Sequence, residues 1–243
     1  MSGLPEVGGR PHHVLAMIDK VIPSLEEAVH DVHDGATVLC GGFGYCGVPE
    51  NLLRALAQQG AAGLTTVSDD AGLPGYGIGL LLEQRHVRRM LLGRAVDNPE
   101  FDRQYQAGDL DVEFVPLGSL VERLRAGGSG IPAFYTPTGV GTVVADGKEV
   151  REFDGRPYLL ERAIIGDVAL VAAWKADRLG NLVYRRSARN TNPAVAMAGR
   201  ICTAEVEELV EVGELDPEDV HTPGINVHRV VVAPRLKGRG IAW

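Results

Sequence analysis

ATVLCGGFGYCGVPENLLRALAQQG, residues 36–60, reads as three elements in succession. Ala36 to Cys40 is a short apolar run of the kind that forms a buried strand. Gly41-Gly42-Phe43-Gly44-Tyr45-Cys46-Gly47 is a glycine turn, and Pro49 then suits the first turn of a helix carrying Leu52, Leu53, Leu56 and Ala57. Strand, glycine loop and helix in that order predict a unit of an α/β sheet. The same alternation continues on the C-terminal side. Leu64 to Val67 and Val87 to Leu92 are expected as strands, Pro99 to Ala107 as a helix, Val112 to Val115 as a strand, and Leu120 to Leu124 as a helix. The expected fold class is therefore α/β, an open and mainly parallel sheet flanked by helices.

On the N-terminal side, Ser24 and Glu27 form a capping box, followed by Leu25, Ala28, Val29 and Val32 at helical spacing until Gly35. His30 and His33 are three residues apart, but Asp31 and Asp34 beside them indicate a solvated face, and no metal is expected. Residues 1–16, with the His12-His13 pair, have no apolar period and read as a flexible tail before a single domain spanning 17–243. Further on, Asp146-Gly147 and Asp154-Gly155 separate Val140 to Val144, Val150 to Phe153 and Tyr158 to Leu160, the pattern of a short antiparallel β insertion. Val168 to Trp174, Leu182 to Tyr184, Ile201 to Val206 and Val227 to Val232 complete the strands, with a helix around Pro193 to Ala198.

Composition narrows the function classes. Hydrophobic residues make up 45% of the 243 and charged residues 23%, ordinary values for a globular chain. Glycine is the deviation: 31 Gly with 14 Pro, clustered, imply many tight turns and close approaches of backbone to a ligand or another chain. A net charge of −8 argues against a nucleic-acid surface, and an acidic cofactor would need local positive groups. No run approaches the ~18 apolar residues of a membrane span, so no membrane association and a cytoplasmic location are expected. Cys40, Cys46 and Cys202, widely spaced and without CxxC or His pairing, read as reduced thiols.

The glycine loop leaves a strand and enters a helix, which places free backbone N–H groups where an anion or a carbonyl oxygen can bind; a plain tight turn is the alternative. It is neither GxGxxG nor a Walker motif, so spacing supports no dinucleotide or nucleoside triphosphate. Glu50, Glu122 and Glu161 read as helix-start or surface carboxylates. Cys46, although near a helix start, reads as a structural thiol.

GGFGYCGVPENLL resembles the glycine-rich signature of class I coenzyme A transferase alpha subunits, the succinyl-CoA:3-oxoacid type. Gly127 to Thr142 (GGSGIPAFYTPTGVGT) is similar to a second family signature, and Ala173 to Leu182 (AWKADRLGNL) to a third. Ser187-Ala188-Arg189-Asn190, Glu205 to Asp219 and His221-Thr222-Pro223-Gly224 also fit, so the resemblance covers about residues 18–232. It implies transfer of CoA from an acyl thioester to a carboxylate through an acyl-glutamyl anhydride and a glutamyl-CoA thioester. In that family the nucleophilic glutamate belongs to a beta subunit, so no catalytic nucleophile is expected in this chain. The resemblance implies an obligate αβ or α2β2 partnership and a CoA thioester as substrate, with no permanently bound cofactor. Gly41 to Gly47 would form the CoA- and acyl-binding loop.

Three departures from the family pattern fall at the expected oxyanion and acyl site. Ser68-Asp69-Asp70 stands where relatives carry Ser-Asn-Asn or Ala-Asn-Asp, and an ionised Asp accepts hydrogen bonds but cannot donate them. Pro116-Leu117-Gly118-Ser119-Leu120 stands where the family has Pro-Gln-Gly-(Thr/Asn)-Leu, so an amide implicated in the oxyanion site becomes apolar at Leu117, while the Gly118 backbone donor is kept. Gly93-Arg94-Ala95-Val96-Asp97-Asn98 replaces a Ser-Tyr-Val-Gly-Glu-Asn type stretch; Arg94 can hold a substrate carboxylate or pair with Asp69 or Asp97. Three readings follow: a working transferase for a short 3-oxoacid or dicarboxylate; the same fold repurposed for hydrolysis, C–C cleavage or decarboxylation of a CoA ester; or a non-catalytic subunit.

Overall fold

The computed structural model describes residues 18–95 and 97–234. The expected tail at 1–16, with His12 and His13, lies outside them. Ser24 Oγ accepts from the Glu27 N–H at 3.2 Å, as the capping box requires, and starts α1 (Leu25–Val29), which ends well before Gly35. β1 (Thr37–Cys40), α2 (Glu50–Gln59), β2 (Leu64–Asp70), α3 (Gly79–Glu83), β3 (Val87–Arg94), α4 (Pro99–Ala107), β4 (Asp111–Phe114) and α5 (Leu117–Gly128) follow. Of these, the one-turn α3 has no counterpart among the elements expected from the sequence. α5 starts at Leu117 rather than Leu120, because Pro116 sets the helix entry and the Leu120 N–H closes on the Pro116 carbonyl at 2.9 Å.

After a small sheet of β5 (Ala133–Thr136), β6 (Val150–Phe153) and β7 (Arg156–Arg162), the chain returns to the main sheet. There it forms β8 (Gly166–Asp177), β9 (Leu182–Val183), α6 (Asn192–Ala198), β10 (Gly199–Val210) and β11 (Arg229–Val232). The antiparallel insertion is present, but its third strand is β5 and not Val140 to Val144. Gly139 and Gly141 have φ of +89° and +76°, and a 3-10 turn at Val143–Ala145 replaces the expected strand. β7 pairs β6 on one edge and β5 on the other.

The main sheet has the order β11-β10-β8-β1-β2-β3-β4, parallel throughout, with β9 added antiparallel to β8. β8 is long enough to pair β1 at Val168 to Leu170 and β9 at Lys175 to Ala176, while β10 runs along its other edge. Residues alternate across the sheet. Val38, Cys40, Met90 and Leu92 pack under α1 to α4, with Leu53, Leu56, Leu82 and Phe101 from the helices. Leu39, Val67, Leu91, Ala169 and Val171 pack on the opposite face against Leu120, Leu124, Val195 and Ala198 of α5 and α6. Each fully buried Leu contributes about 1.5–3 kcal/mol, so both helical layers are firmly held. The chain winds outward from β1 to β4, then restarts at β8 on the other side of β1. The switch point between β1 and β8 is where such sheets open a crevice at the strand carboxyl ends, and the glycine loop leaves β1 there.

Among the described residues no helix is long and apolar enough to cross a membrane. Cys40, Cys46 and Cys202 are free thiols, and His30 and His33 are exposed.

Candidate active site at the sheet switch point

Two loops of one design stand side by side over the carboxyl ends of β1 and β2. In the first, the Phe43 N–H donates to the Cys46 carbonyl and the Cys46 N–H to that of Phe43, both at 2.9 Å. In the second, Leu73 and Tyr76 make the same reciprocal pair at 3.2 and 3.0 Å. The Tyr45 and Tyr76 rings lie 5.6 Å apart, and the Tyr76 hydroxyl donates to the Tyr45 carbonyl at 3.3 Å. Asn98 anchors the second loop. Its side-chain carbonyl caps α4 through the Glu100 and Phe101 N–H groups, and its amide donates to the Ala71 and Gly72 carbonyls at 3.0 and 3.2 Å.

The segment before and into α6 holds the first loop from outside. Thr191 Oγ1 accepts from the Gly42 N–H at 3.1 Å and donates to the Gly42 carbonyl at 2.9 Å, while the Asn192 amide donates to the Gly47 carbonyl at 2.9 Å. Gly47 has a φ of +66°, and a Cβ there would collide with the Ala188 carbonyl and lie 2.8 Å from Asn192 Nδ2. The glycine is thus required by close packing as well as conformation.

The loop does not present the row of free N–H groups expected from its sequence. The N–H groups of Gly41, Gly42, Phe43, Gly44 and Cys46 are taken by Leu170, Thr191, Cys46, Asp69 and Phe43 in turn. The start of α2 is occupied as well. Glu205, from β10, accepts from the Leu52 N–H at 2.8 Å and from Asn51 Nδ2 at 3.0 Å. It serves as the cap that Pro49 cannot supply. Burial pushes the Glu205 carboxyl up to about 7, against those two hydrogen bonds and with the charge of Glu50 adding to the rise.

Between the loops is a cavity of about 20 Å³, room for a water-sized group. Gly41 to Gly44, Asp69, Asp70 and Tyr76 are among the residues lining it. Asp69 Oδ2 accepts from the Gly44 N–H and from Arg94 Nη2, each at 3.3 Å, whereas the buried Oδ1 has no partner. Asp70 Oδ1 accepts from the Gly72 N–H at 2.8 Å, and its Oδ2 lies 3.6 Å from Arg94 Nη2. Burial raises both carboxyls above the usual range; Arg94 opposes the rise, and for Asp70 the neighbouring Asp69 adds to it. The Arg94 guanidinium stacks on the Phe43 ring at 4.8 Å and its side chain is 44% exposed, so it forms the rim.

Asp69, Asp70, Arg94 and the inner half of the glycine loop therefore come together, and of the partners considered for Arg94 the structure pairs it with Asp69. Tyr45, Cys46 and Gly47 do not line the cavity: Tyr45 packs on Tyr76, and Gly47 is held from the α6 side. Leu117 and Gly118 do not line it either. Leu117 packs against the core beneath the sheet, close enough that a Cβ on Gly93 would sit 3.3 Å from its Cβ and 3.1 Å from the Asp69 carbonyl oxygen. Gly118 is exposed.

Two carboxylates expected at helix starts or on the surface are buried. Glu50, in the first turn of α2, accepts from the Gly77 N–H at 2.7 Å and pairs with Arg54 at 2.6 Å. Glu161 is in β7, only 1% exposed, and pairs with Lys148 at 2.6 Å and Arg123 at 3.8 Å. Glu122 is half exposed and pairs with Arg125. Glu205, Thr191, Asn192 and Asn98 shape the site without having stood out in the sequence. A carboxylate inside the apolar run Ile201 to Val206 was the available signal for Glu205; Asn98 and Asn192 each precede a proline at a helix start.

Comparison with known proteins places these features in a lineage. Residues 22–233 match the family model described as coenzyme A transferase. The A subunit of the succinyl-CoA:3-ketoacid coenzyme A transferase of Xanthomonas campestris pv. campestris (strain B100) is 60% identical over 201 residues, 83% of each chain. The probable A subunit of the same transferase in Bacillus subtilis is 54% identical over 220 residues, 90% of this chain and 92% of the relative. Among solved structures, the E. coli O157:H7 acyl-CoA transferase YdiF, in a thioester complex with CoA, superposes with a TM-score of 0.81 at 25% identity. It covers 92% of this chain, which spans 49% of the YdiF chain. A variant of the decarboxylase AibA/AibB superposes with a TM-score of 0.74 at 29% identity, over 89% of this chain and 84% of that one. A family model matched from residue 22 to residue 233, with relatives of 54% and 60% identity aligned over more than four-fifths of both partners, establishes that the chain belongs to the coenzyme A transferase family.

Proposed function

We propose that this chain is the alpha subunit of a cytoplasmic, heteromeric CoA transferase that moves CoA from a succinyl-CoA-like donor to a 3-oxoacid or other short carboxylate. The observation that carries this reading is the 60% identity, over 83% of both chains, to a protein named as the A subunit of a succinyl-CoA:3-ketoacid transferase. The site geometry supports a half-site. Glu50, Glu83 and Glu205, the glutamates held against the loops and the helix start, are committed to the backbone N–H groups of Gly77, Gly75 and Leu52. The attacking carboxylate then comes across an interface, from a beta subunit, in an αβ or α2β2 assembly with residues 17–243 as the alpha-subunit domain. The alignment with about half of the YdiF chain is in keeping with a second half supplied separately.

In this reading the partner glutamate attacks the thioester carbonyl, CoA leaves as thiolate, and the acyl group sits over the cavity between the two loops. Asp69, Asp70 and Arg94 set the charge at that end. Arg94, stacked on Phe43 and partly exposed, would take the free carboxylate of the acyl group or acceptor in exchange for its long contacts with Asp69 and Asp70. Co-expression with the beta subunit, followed by an assay of succinyl-CoA with acetoacetate, tests the reading. Acetoacetyl-CoA and succinate should form in equal amounts; a folded complex that exchanges CoA with no carboxylate refutes it.

A second reading rests on Asp69, Arg94 and Leu117: an acidic pair and a guanidinium where relatives carry neutral amides and a tyrosine suit a different reaction on a CoA ester, hydrolysis or decarboxylation. The fold is shared with the decarboxylase AibA/AibB. Release of free CoA or CO2 without acyl exchange would select it.

A further inference from the structure

The 3-10 turn Arg186–Arg189 lies against the outer side of the glycine loop. Asn190 Nδ2 donates to the Cys46 carbonyl at 3.0 Å, the Asn192 amide bridges the Ala188 and Gly47 carbonyls at 2.9 Å each, and Thr191 clasps Gly42. Turn and loop are one rigid unit. Arg186 is held at a φ of +50°, a left-handed conformation that a non-glycine residue adopts at a cost, and such positions are kept where the surroundings impose them.

Nearby cations are already engaged. Arg185 pairs with Glu207 at 3.2 Å and stacks on Trp174 at 4.5 Å, Lys175 pairs with Glu208 at 3.0 Å, and Arg94 pairs with Asp69 and Asp70. Arg186 and Arg189 are exposed, and neither has a carboxylate partner among the described residues. Both arginines belong to this one short turn, Arg186 as its first residue and Arg189 as its last. The charge of Arg189 is felt at His221, where it adds to burial in lowering the ring's pKa. On a chain of net charge −8, two adjacent unneutralised arginines on a preorganised turn are a local anion receptor.

We infer that Arg186 and Arg189 form a phosphate-binding subsite that holds phosphoryl groups of the CoA moiety on the rim of the glycine loop. This rests on the CoA-thioester reading above. The pantetheine arm separates the thioester from the phosphates, so their receptor belongs outside the cavity and not in it. A multiply charged anion approaching an acidic protein needs contact pairing, because fields are screened within about 8–10 Å. Guanidinium forks match phosphate oxygens bidentately.

The test is calorimetric binding of CoA, dephospho-CoA and pantetheine to the full chain assembled with its beta subunit. It compares the parent with Arg186→Asn/Arg189→Gln, in which Asn tolerates the left-handed backbone. The double variant should bind CoA about tenfold to a hundredfold more weakly, with a shallower salt dependence and unchanged pantetheine affinity. A loss for CoA but not for dephospho-CoA assigns the 3′-phosphate; an equal loss for both assigns the diphosphate. Arg186→Lys/Arg189→Lys keeps the charges without the forks and should weaken CoA binding less than the neutral pair does, an ordering that a purely structural role of the guanidiniums would not give. Unchanged CoA affinity overturns the inference alone. Equal weakening of CoA and pantetheine overturns it in favour of a loop-shaping role, and failure to assemble overturns it in favour of docking to the partner. A parent complex that binds no CoA removes the CoA-thioester reading together with the inference.

Discussion

Replacing Glu205 with glutamine should flatten the dependence of stability on pH. In the native chain the carboxyl is buried, holds the Leu52 N–H and the Asn51 amide, and lies near Glu50. It titrates near 7, above its ordinary value of 4.5. Between those values the folded chain keeps a proton that the unfolded chain releases. The stability contributed by the neutral form is complete below 4.5 and is lost as pH rises through 7. The full rise is worth about 3 kcal/mol at 1.36 kcal/mol per tenfold change in proton affinity. A neutral glutamine side chain at this position retains an acceptor for Leu52 and does not titrate. Urea unfolding of parent and Glu205→Gln at pH 5, 6, 7 and 8 should therefore give curves within about 1 kcal/mol of each other at pH 5. The variant should gain on the parent by up to about 3 kcal/mol at pH 8. Glu50, Asp69 and Asp70 are also raised by burial and slope the same way, so the difference between the two proteins, not the parent curve alone, reports Glu205. Identical pH slopes, or a variant that loses ground as pH rises, would refute the assignment of a protonatable carboxyl to the α2 cap.

Three other substitutions probe the site and its frame. Asn98→Ala removes the α4 cap and the amide that holds Ala71 and Gly72, and should cost about 1–3 kcal/mol in thermal or urea unfolding; a neutral result would mean that the second loop is held otherwise. Glu161→Ala leaves the half-buried Lys148 without its carboxylate, while Arg123 keeps Glu113 and the Arg162 carbonyl, and should destabilise by about 1–3 kcal/mol, with Glu161→Leu/Lys148→Met recovering much of the loss. Leu117→Gln with Asp69→Asn restores the amides common in the family and should raise transferase turnover by about a hundred- to a thousandfold if an oxyanion donor is what the chain lacks; unchanged turnover in a folded complex counts against that idea.

Local patterning carried much of the fold. β1, the glycine turn and α2 were legible because an apolar run, a glycine cluster and a proline each impose a backbone state on their own neighbours. The start of α4 at Pro99 was legible for the same reason. The placing of Asp69 and Arg94 together also followed, since adjacent parallel strands carry their carboxyl-end residues to one edge. The missing pieces depend on partners distant in sequence. β5 finds its place only through β7, and Val140 to Val144, apolar enough for a strand, is interrupted by two left-handed glycines. Leu117 falls on the first turn of α5 and packs inward, so its distance from the cavity was set by where the helix begins.

By itself, the sequence determined the family, the α/β alternation and the residues at the carboxyl ends of the first strands, because each is written in short-range spacing. Only the tertiary structure decided what the glycine loop does. A carboxylate 153 residues beyond Leu52 occupies the helix start, Thr191 and Asp69 take the loop's N–H groups, and two arginines are left unpaired on its outer side. Hydrogen-bond partners that far apart are chosen by the packing of the whole sheet, and no local pattern records which donor remains free.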